Sequence, residues 1–208
     1  FYYAGFSLPG ETRLDFHSSQ LFRELPPPWM SFAGITAHHL ANWYANNRFC
    51  GACGGRMTPK EEERALACPA CATSVYPRIS PAVIVGVVNG SRLLLTRYAN
   101  RPYRNYALIA GFVEVGETLE DAAHREVFEE TGVRVKNLSY YKSQPWGFSG
   151  SLLAGFFAEL DGSPELNIDS NELEDAQWLG AEDIPLHDDG VSLTGEMMQV
   201  FRHRYLLA

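Results

Sequence analysis

The sequence predicts an α+β fold in which a small cysteine-rich module precedes a larger domain of strands and helices. Two apolar runs, Ala82 to Val88 and Leu93 to Leu95, flank Asn89-Gly90, a dipeptide typical of a tight β-hairpin. The stretch from Leu119 to Thr131 has the periodicity of a helix. The four cysteines lie in two short pairs ahead of the hairpin. These three features place a metal-site or disulfide module before a mixed sheet.

Further elements follow from the same periodicity. A short amphipathic helix is predicted at Ala37 to Asn47, just before the cysteines. Strands are predicted at Leu138 to Tyr141 and Leu152 to Glu159, and a closing helix at Gly195 to Leu207. Strands and helices alternate without internal repeats. This pattern favours a layered sandwich of sheet and helices.

The chain of 208 residues is long enough for one main core and a small accessory module. We expect a partial or shortened N-terminal region at residues 1-48, a ribbon at 49-76 and the main domain at 77-208. Pro26-Pro27-Pro28 disfavours a helix interior or a central strand, so the region up to Met30 is expected to be irregular.

Charge and hydropathy restrict the partners. The net charge of -8 argues against broad attraction to nucleic acid or to an anionic membrane, so any RNA would have to be held locally. No apolar run approaches the roughly 20 residues that span a bilayer. Phe1 to Glu11 lacks the basic start and apolar stretch of a secretory signal. We therefore expect a cytoplasmic protein without membrane contacts.

The cysteine pairs have the spacing of a zinc site. Fourteen residues separate two Cys-x-x-Cys turns, whose members are Cys50, Cys53, Cys68 and Cys71. Four thiolates would close the coordination sphere of one Zn²⁺, so the predicted role is structural. Two disulfides or unrelated buried thiols are the alternatives, and disulfides are disfavoured in a cytosolic protein. His38 and His39 are expected to be surface residues and not ligands.

The predicted helix at Leu119 to Thr131 carries stacked carboxylates. Glu126 and Glu130 lie one turn apart, with Glu129 beside them, on the side that also carries Ala122 and Ala123. A divalent cation would offset both the repulsion between these charges and their desolvation. Oxygen ligands favour Mg²⁺ or Mn²⁺ over Zn²⁺. On spacing alone, an ordinary solvated helix rich in glutamate is the alternative.

The wider pattern resembles the Nudix hydrolases. Every position of the Nudix box is filled, in the order Gly111, five residues, Glu117, seven residues, Arg125-Glu126-Val127, one residue, Glu129-Glu130, one residue, Gly132-Val133. The resemblance implies an α/β/α sandwich that hydrolyses a nucleoside diphosphate linked to another group, with Glu126, Glu129 and Glu130 binding the metals. It also implies that Arg125 orients the glutamates and that Glu117 supports the metal site or the attacking water.

A ribbon, then a Nudix box, then Ser143-Gln144-Pro145-Trp146 is similar to the NADH pyrophosphatase family, the branch that also removes NAD caps from RNA. The likeness runs from about Asn47 to Trp178. It implies a homodimer that hydrolyses NADH or NAD⁺ to a nicotinamide mononucleotide and AMP, with removal of NAD caps from RNA as a related activity. Catalytic Mg²⁺ or Mn²⁺ and structural Zn²⁺ are the implied cofactors.

Candidate substrate contacts come from the segment after the box and from the resemblance. Trp146 and Phe148 offer flat faces to a ring, and hydroxyl and amide groups nearby offer hydrogen bonds. Packing on the core is the alternative for either aromatic residue alone. The remaining candidates are Gln144 and Ser151 in the same segment, Glu63, Tyr76 and Phe112 by family position, and Glu172 as a further metal-binding glutamate. For Glu63, Tyr76 and Phe112, packing or a solvated charge has nearly equal weight.

The chain departs from the family at three places. Gly147 and Ser149 stand where the family usually has proline, which makes the loop more flexible and bears on nicotinamide specificity. The region before the ribbon is shorter than the family's N-terminal domain. The stretch after Pro185, which includes His187-Asp188-Asp189, lacks the expected basic pair.

Two rival functions remain at this point. The first keeps the chemistry but takes ADP-ribose, a dinucleoside polyphosphate or a damaged nucleotide as substrate. The second is a non-catalytic protein that binds a nucleotide or nucleic acid. Such a protein would be expected to have lost some of the residues at the fixed positions of the Nudix box. The box of this chain is complete.

Overall fold

The structure is a computed structural model that describes residues 17–99, 105–186 and 190–206. The chain divides into two compact units: Phe1–Ile79 with Trp146–Gly150, and Ser80–Pro145 with Ser151–Ala208. The expected segment bounds of 1-48, 49-76 and 77-208 stay a prediction. The stretch at residues 187–189, where a basic pair is lacking, lies outside the described residues.

The first unit contains helices followed by a small sheet. A 3-10 helix spans Ser19–Arg23, and helix α1 spans Pro28–Asn46. The three-stranded antiparallel sheet consists of β1 (Thr58–Pro59), β2 (Leu66–Ala67) and β3 (Ser74–Val75). Helix α1 begins at Pro28 and not at Ala37 as predicted. Proline fits the first helical position because its missing N–H would have no partner within the helix.

The ribbon has a small core of its own. Trp43, from the last turns of α1, packs with Met57 and Leu66 of the ribbon and with two of the cysteines, Cys50 and Cys68. The end of α1 therefore contributes an aromatic residue to the ribbon core.

The second unit is built on a six-stranded mixed sheet. The strands are β4 (Ser80–Asn89), β5 (Arg92–Tyr98), β6 (Ile109–Phe112), β7 (Arg134–Trp146), β8 (Ser151–Asp161) and β9 (Leu173–Gly180). They run in the order β7-β8-β4-β5-β9, and β6 pairs with β4. Strands β4 and β8 are parallel, whereas β4 pairs with β5 and β6, and β5 pairs with β9, in antiparallel fashion.

The predicted hairpin is confirmed. Val88 pairs with Leu93 and Asn89 with Arg92, and Gly90 adopts φ +60° in the turn between them. The two strands predicted after the box lie within β7 and β8, which are longer. Strands β6 and β9 were not predicted, because β6 is only four residues long and β9 lacks a regular apolar alternation.

Helices cover both faces of the sheet. Helix α2, Leu119–Thr131, packs through Ala122, Ala123 and Val127 on one face. Helix α3, Leu193–Leu206, packs on the other face through the buried apolar side chains of Leu193, Met197, Met198 and Phe201. The predicted α/β/α sandwich is thus confirmed. In the described residues, no helix is both long and apolar enough to cross a membrane.

Candidate functional sites

The four cysteines converge on one point of the ribbon. Their sulfur atoms all lie within 4.8 Å of one another, with 3.6 Å between Cys50 and Cys71 and 3.5 Å between Cys53 and Cys68. A disulfide would require about 2.05 Å, and the cysteines are free. Tetrahedral zinc with bonds of about 2.3 Å spaces its sulfurs about 3.8 Å apart. The site therefore fits the predicted structural Zn²⁺, and the disulfide alternative is wrong for this structure.

Both cysteine turns have the same backbone hydrogen bonds. In the first, the N–H of Cys50 donates to the carbonyl of Gly55 at 2.7 Å, and that of Gly54 donates to Cys50 at 2.9 Å. The second turn repeats both bonds at 2.9 and 2.8 Å, from Cys68 to Thr73 and from Ala72 to Cys68. The residue after the second cysteine has positive φ in each turn, +75° for Gly54 and +61° for Ala72. Two equivalent turns thus present the four thiols.

Local hydrogen bonds favour the thiolate form at two of the four cysteines, Cys71 and Cys50. The hydroxyl of Thr73 lies 3.2 Å from the sulfur of Cys71 and lowers the pKa of that thiol to about 6. The backbone N–H of Ala52, 3.4 Å from the sulfur of Cys50, lowers the pKa of Cys50 as well. His39 instead donates from Nε2 to the carbonyl of Arg78 at 2.9 Å, so this nitrogen is not directed at the sulfurs.

Arg125 forms hydrogen bonds with several residues of the Nudix box. Its guanidinium donates to both carboxylate oxygens of Glu117, at 2.7 and 2.9 Å, and to the carbonyl of Phe112 at 3.0 Å. It also donates to Glu126 at 2.8 Å and to Glu129 at 3.1 Å. Charge-assisted bonds of this kind fix the orientation of both partners. One arginine therefore positions three of the predicted catalytic carboxylates.

Glu117 is held as a carboxylate. The bonds from Arg125, together with the N–H of Glu114 at 3.0 Å, lower the pKa of Glu117 to about 2. A carboxylate with so low a pKa is a weak proton acceptor. Of the two roles predicted for Glu117, the geometry favours support of the site through Arg125.

The glutamates of α2 differ in exposure. Glu130 is 2 % exposed, the side chain of Glu126 12 % and that of Glu129 59 %. Glu130 is thus buried together with Ala122 and Ala123, as the helical spacing predicted. Burial raises the pKa of Glu126, although Arg125 opposes this effect.

A fourth carboxylate lies near this group. Glu172 precedes β9. Burial is the main cause that raises the pKa of Glu126, Arg125 opposes it, and the charges of Glu129 and then Glu172 raise this pKa further. The structure therefore places Glu172 within electrostatic range of the helix, although 41 residues of sequence separate it from Glu130.

The carboxylate group fits a hard divalent cation. All of its donors are carboxylate oxygens, which Mg²⁺ and Mn²⁺ prefer. Gly111 leaves room for them, because a Cβ at this position would collide with the carboxylate of Glu126. These carboxylates lie farther apart than the four sulfurs. In the part of the chain described, the sulfurs are the one group of three or more potential ligand atoms that all lie within 4.8 Å of one another.

The aromatic residues after the box form a pair capped by an arginine. The ring centroids of Trp146 and Phe148 are 4.9 Å apart, and the guanidinium carbon of Arg23 lies 4.9 Å from each. A Cβ at Gly147 would lie 2.9 Å from the carbonyl oxygen of Ile35 in α1, so this close approach explains glycine in place of the family's proline. Arg23 was not predicted as part of this group, because it lies far from the loop along the chain.

The other substrate candidates have contacts within the protein. Gln144 donates to the carbonyl of Val191 at 2.6 Å, and Ser151 is buried at the start of β8. Glu63 accepts at 2.9 Å from Lys60 and at 3.0 Å from Tyr76, and the bond from Lys60 comes first in lowering the pKa of Glu63. Their roles in substrate binding stay predictions.

Phe112 differs from the other candidates because its backbone is hydrogen-bonded directly to Arg125 of the Nudix box. Its side chain is 55 % exposed, and its carbonyl is bound to Arg125. Glu63 and Tyr76 belong to the first compact unit, whereas Phe112 and the glutamates belong to the second. A substrate contact by Phe112 also stays a prediction.

Two family models match the chain. The model of the NADH pyrophosphatase zinc ribbon domain matches residues 45–76, and that of the NUDIX domain matches residues 78–201. The first includes all four cysteines, and the second includes the box, Glu172 and most of α3.

Among similar proteins is the NAD-capped RNA hydrolase NudC of Salmonella typhi, 46 % identical over 147 residues, or 71 % of this chain and 57 % of that protein. The protein of the same name from Escherichia coli O1:K1 / APEC is 45 % identical over 147 residues, with the same coverage. The match therefore spans little more than half the length of these relatives.

Solved structures share the fold. A NUDIX hydrolase from Nitrosomonas europaea superimposes with a TM-score of 0.65 at 25 % identity, covering 76 % of this chain and 93 % of that one. A second NUDIX hydrolase from the same organism gives a TM-score of 0.50 at 20 % identity, covering 61 % and 90 %. Because its model matches more than half of the chain, and because the box and the ribbon are both complete, this protein belongs to the Nudix family and carries an NADH pyrophosphatase zinc ribbon.

Proposed function

We propose that the protein is a diphosphatase that hydrolyses NADH or NAD⁺ to a nicotinamide mononucleotide and AMP, and that it also removes NAD caps from RNA. The main observation in support is the complete Nudix box. Arg125 binds Glu117, Glu126 and Glu129, and the inner face of α2 carries the buried Glu130. The names of the NudC relatives support the substrate class.

The proposed metal ligands are Glu126, Glu129 and Glu130, joined by Glu172 from the segment before β9. Mg²⁺ or Mn²⁺ held there would offset the charge of the diphosphate and lower the pKa of a bound water. The oxygen donor set and the space left by Gly111 support this assignment.

The protein groups contribute orientation. Arg125 holds Glu126 and Glu129 in fixed positions before any ligand arrives, so little reorganisation is needed when the diphosphate binds. Glu117, bonded through both oxygens, acts as the anchor of Arg125 and is a poor base, because its pKa lies near 2.

By the family resemblance, each of the following residues is proposed to contact the substrate: Trp146, Phe148, Phe112, Gln144, Ser151, Glu63 and Tyr76. The exposed ring of Phe112 beside the box supports its part in this set. The net charge of -8 leaves few unspecific phosphate contacts, so recognition of a capped RNA would rest mainly on the cap. By the family resemblance, the proposed active form is a cytoplasmic homodimer.

The test compares turnover of NADH, NAD-capped RNA and ADP-ribose by the purified protein with Mg²⁺ or Mn²⁺. We expect a nicotinamide mononucleotide and AMP from NADH, and a higher kcat/KM for NADH than for ADP-ribose. Glu130→Gln should lower kcat about 1000-fold, since several kcal/mol of transition-state stabilisation would be lost. Preference for ADP-ribose would move the assignment to the first rival, and parent-level activity of Glu130→Gln would remove Glu130 from the site.

A further inference from the structure

We propose that Asp169 is the positioning residue that sets Glu172 beside α2, by folding the segment before β9 onto the end of that helix. The inference rests on the proposed role of Glu172 as a metal ligand. It assigns the placement of that ligand to a residue outside the Nudix box.

The segment is bonded to the C-terminal end of α2. The last carbonyls of a helix have no partner within it. Here the N–H of Asn167 donates to the carbonyl of Thr131 at 2.9 Å, and that of Asp169 donates to the carbonyl of Glu130 at 3.0 Å. The helix ends at Gly132 with φ +73°, where an added Cβ would lie 3.0 Å from the Cβ of Asn167. The segment and the last turn of α2 are therefore tied together.

Asp169 then folds the following residues into a tight turn. Its Oδ1 accepts from the backbone N–H of Asn171 at 2.9 Å and from the side-chain amide at 2.8 Å. Its carbonyl accepts from the N–H groups of Glu172 at 3.1 Å and Leu173 at 2.8 Å. A single residue thus bonds to α2 through its N–H and to the next residues through its side chain and carbonyl.

Glu172 is held on its other side by the sheet. Its carbonyl accepts from the N–H of Ala99, just after β5, at 2.8 Å, and Leu173 next to it is buried at the start of β9. The exposed Glu172 side chain acts electrostatically on Glu126. The backbone of Glu172 is therefore located relative to both α2 and the sheet, and Asp169 makes the connection to α2.

Substitutions at residue 169 can distinguish a role of the Asp169 side chain in positioning Glu172 from a role of its negative charge. Asn at residue 169 would keep an Oδ1 that accepts from Asn171, although it removes the negative charge. Ala would remove the acceptor, and Glu would keep the charge but move the carboxylate one methylene away. If Asp169 acted as a charge near the cation, Asn would be harmful and Glu would be tolerated. A positioning role predicts the reverse.

The experiment measures Mn²⁺ binding to the zinc-loaded full chain by electron paramagnetic resonance, beside kcat/KM for NADH and the melting temperature. Asp169→Ala and Asp169→Glu should raise the Kd for Mn²⁺ about 10-fold. This is the smaller end of the loss of metal affinity that is typical when a residue that orients a ligand is replaced. Asp169→Asn should stay within about 2-fold of the parent. Ser163→Ala is the matched control, because Ser163 Oγ accepts from the N–H of Glu165 at 3.2 Å in the same segment.

Glu172→Gln separates this inference from the proposed function. If Glu172→Gln binds Mn²⁺ like the parent, Glu172 is not a ligand, and both the proposed role of Glu172 and the inference are overturned. If Glu172→Gln weakens Mn²⁺ binding but Asp169→Ala and Asp169→Glu do not, only the inference is overturned. Should Asp169→Ala fail to fold, the contrast between Glu and Asn at residue 169 decides in the same way.

Discussion

The cysteine site and the proposed glutamate site each involve four acidic side chains, but they are organised differently. The sulfurs come from two equivalent turns and lie within 4.8 Å of one another. The glutamates come from α2 and the segment before β9, and on α2 their exposure ranges from 2 % to 59 %. A closed set of thiolates suits a structural ion, whereas partly exposed carboxylates leave access for a substrate.

The sites also differ in what holds them together without an ion. Arg125 supplies a positive charge that binds two of the α2 glutamates and Glu117. In the described part of the chain, none of the hydrogen bonds of the four thiols comes from a cationic side chain, and their thiolate forms would repel one another. The comparison indicates that zinc holds the ribbon together, whereas the protein itself orients the glutamates.

The largest expected effect is that of zinc removal. Chelation of zinc should abolish amide hydrogen-exchange protection at residues 49–76, because the ribbon core is small and structural zinc contributes about 10 kcal/mol or more. The sheet of the second unit, with its own core on both faces, should keep its protection. Exchange measured by mass spectrometry on the same sample gives both results. An unchanged ribbon after complete zinc loss would contradict the comparison.

The next effect concerns the glutamate site. Gly111→Ala should lower NADH turnover about 100-fold, because the new Cβ displaces the carboxylate of Glu126. Zinc content should not change. Gly51→Ala is the control, since a Cβ there meets no atom within 4 Å. Parent-level kcat in Gly111→Ala would show that the position of Glu126 does not limit the reaction.

A smaller effect tests whether the two cysteine turns have equivalent backbone conformations. Gly54→Ala should lower the free energy of unfolding of the ribbon by about 1 kcal/mol, because Ala at φ +75° is strained. Ala72→Gly should raise it by about 0.5 kcal/mol, since it relieves similar strain at φ +61° but adds freedom to the unfolded chain. Zinc-loaded thermal unfolding measures both. Shifts of the same sign would contradict the equivalence of the turns.

The smallest effect is expected in acid. The pKa of Glu117 in the folded protein is about 2, below its ordinary value of 4.5. Its ion pair therefore contributes its full stability above about pH 4.5 and loses it as the pH falls towards 2. Zinc should leave the cysteines at a higher pH, because binding competes with protons on four thiols. Zinc release and the carboxyl NMR shift of Glu117 should thus titrate separately, with zinc lost first; the opposite order would contradict this account.

Local patterns explain what the sequence could predict. The cysteine turns, the Asn89-Gly90 hairpin and the α2 face that buries Glu130 each depend on residues close together in the chain. The start of α1 was missed because a proline run was interpreted as a break, although Pro28 fits the first helical position.

Contacts between distant residues could not be predicted in the same way. Arg23 over the aromatic pair, and Asn167 and Asp169 on the end of α2, have no periodicity or motif that marks them. Glu172 was identified only by family position, and the structure adds how its backbone is held. Placing such residues requires the tertiary fold.

The central claim is that zinc in the cysteines is structural and that a second divalent cation at the glutamates drives NADH cleavage. The most direct test takes protein with one zinc per chain and no other metal, and measures AMP release from NADH before and after addition of Mg²⁺ or Mn²⁺. We predict no cleavage before addition, cleavage after it, and loss of that cleavage in Glu130→Gln. Equal cleavage by the zinc-only protein, unaffected by Glu130→Gln, would contradict the account.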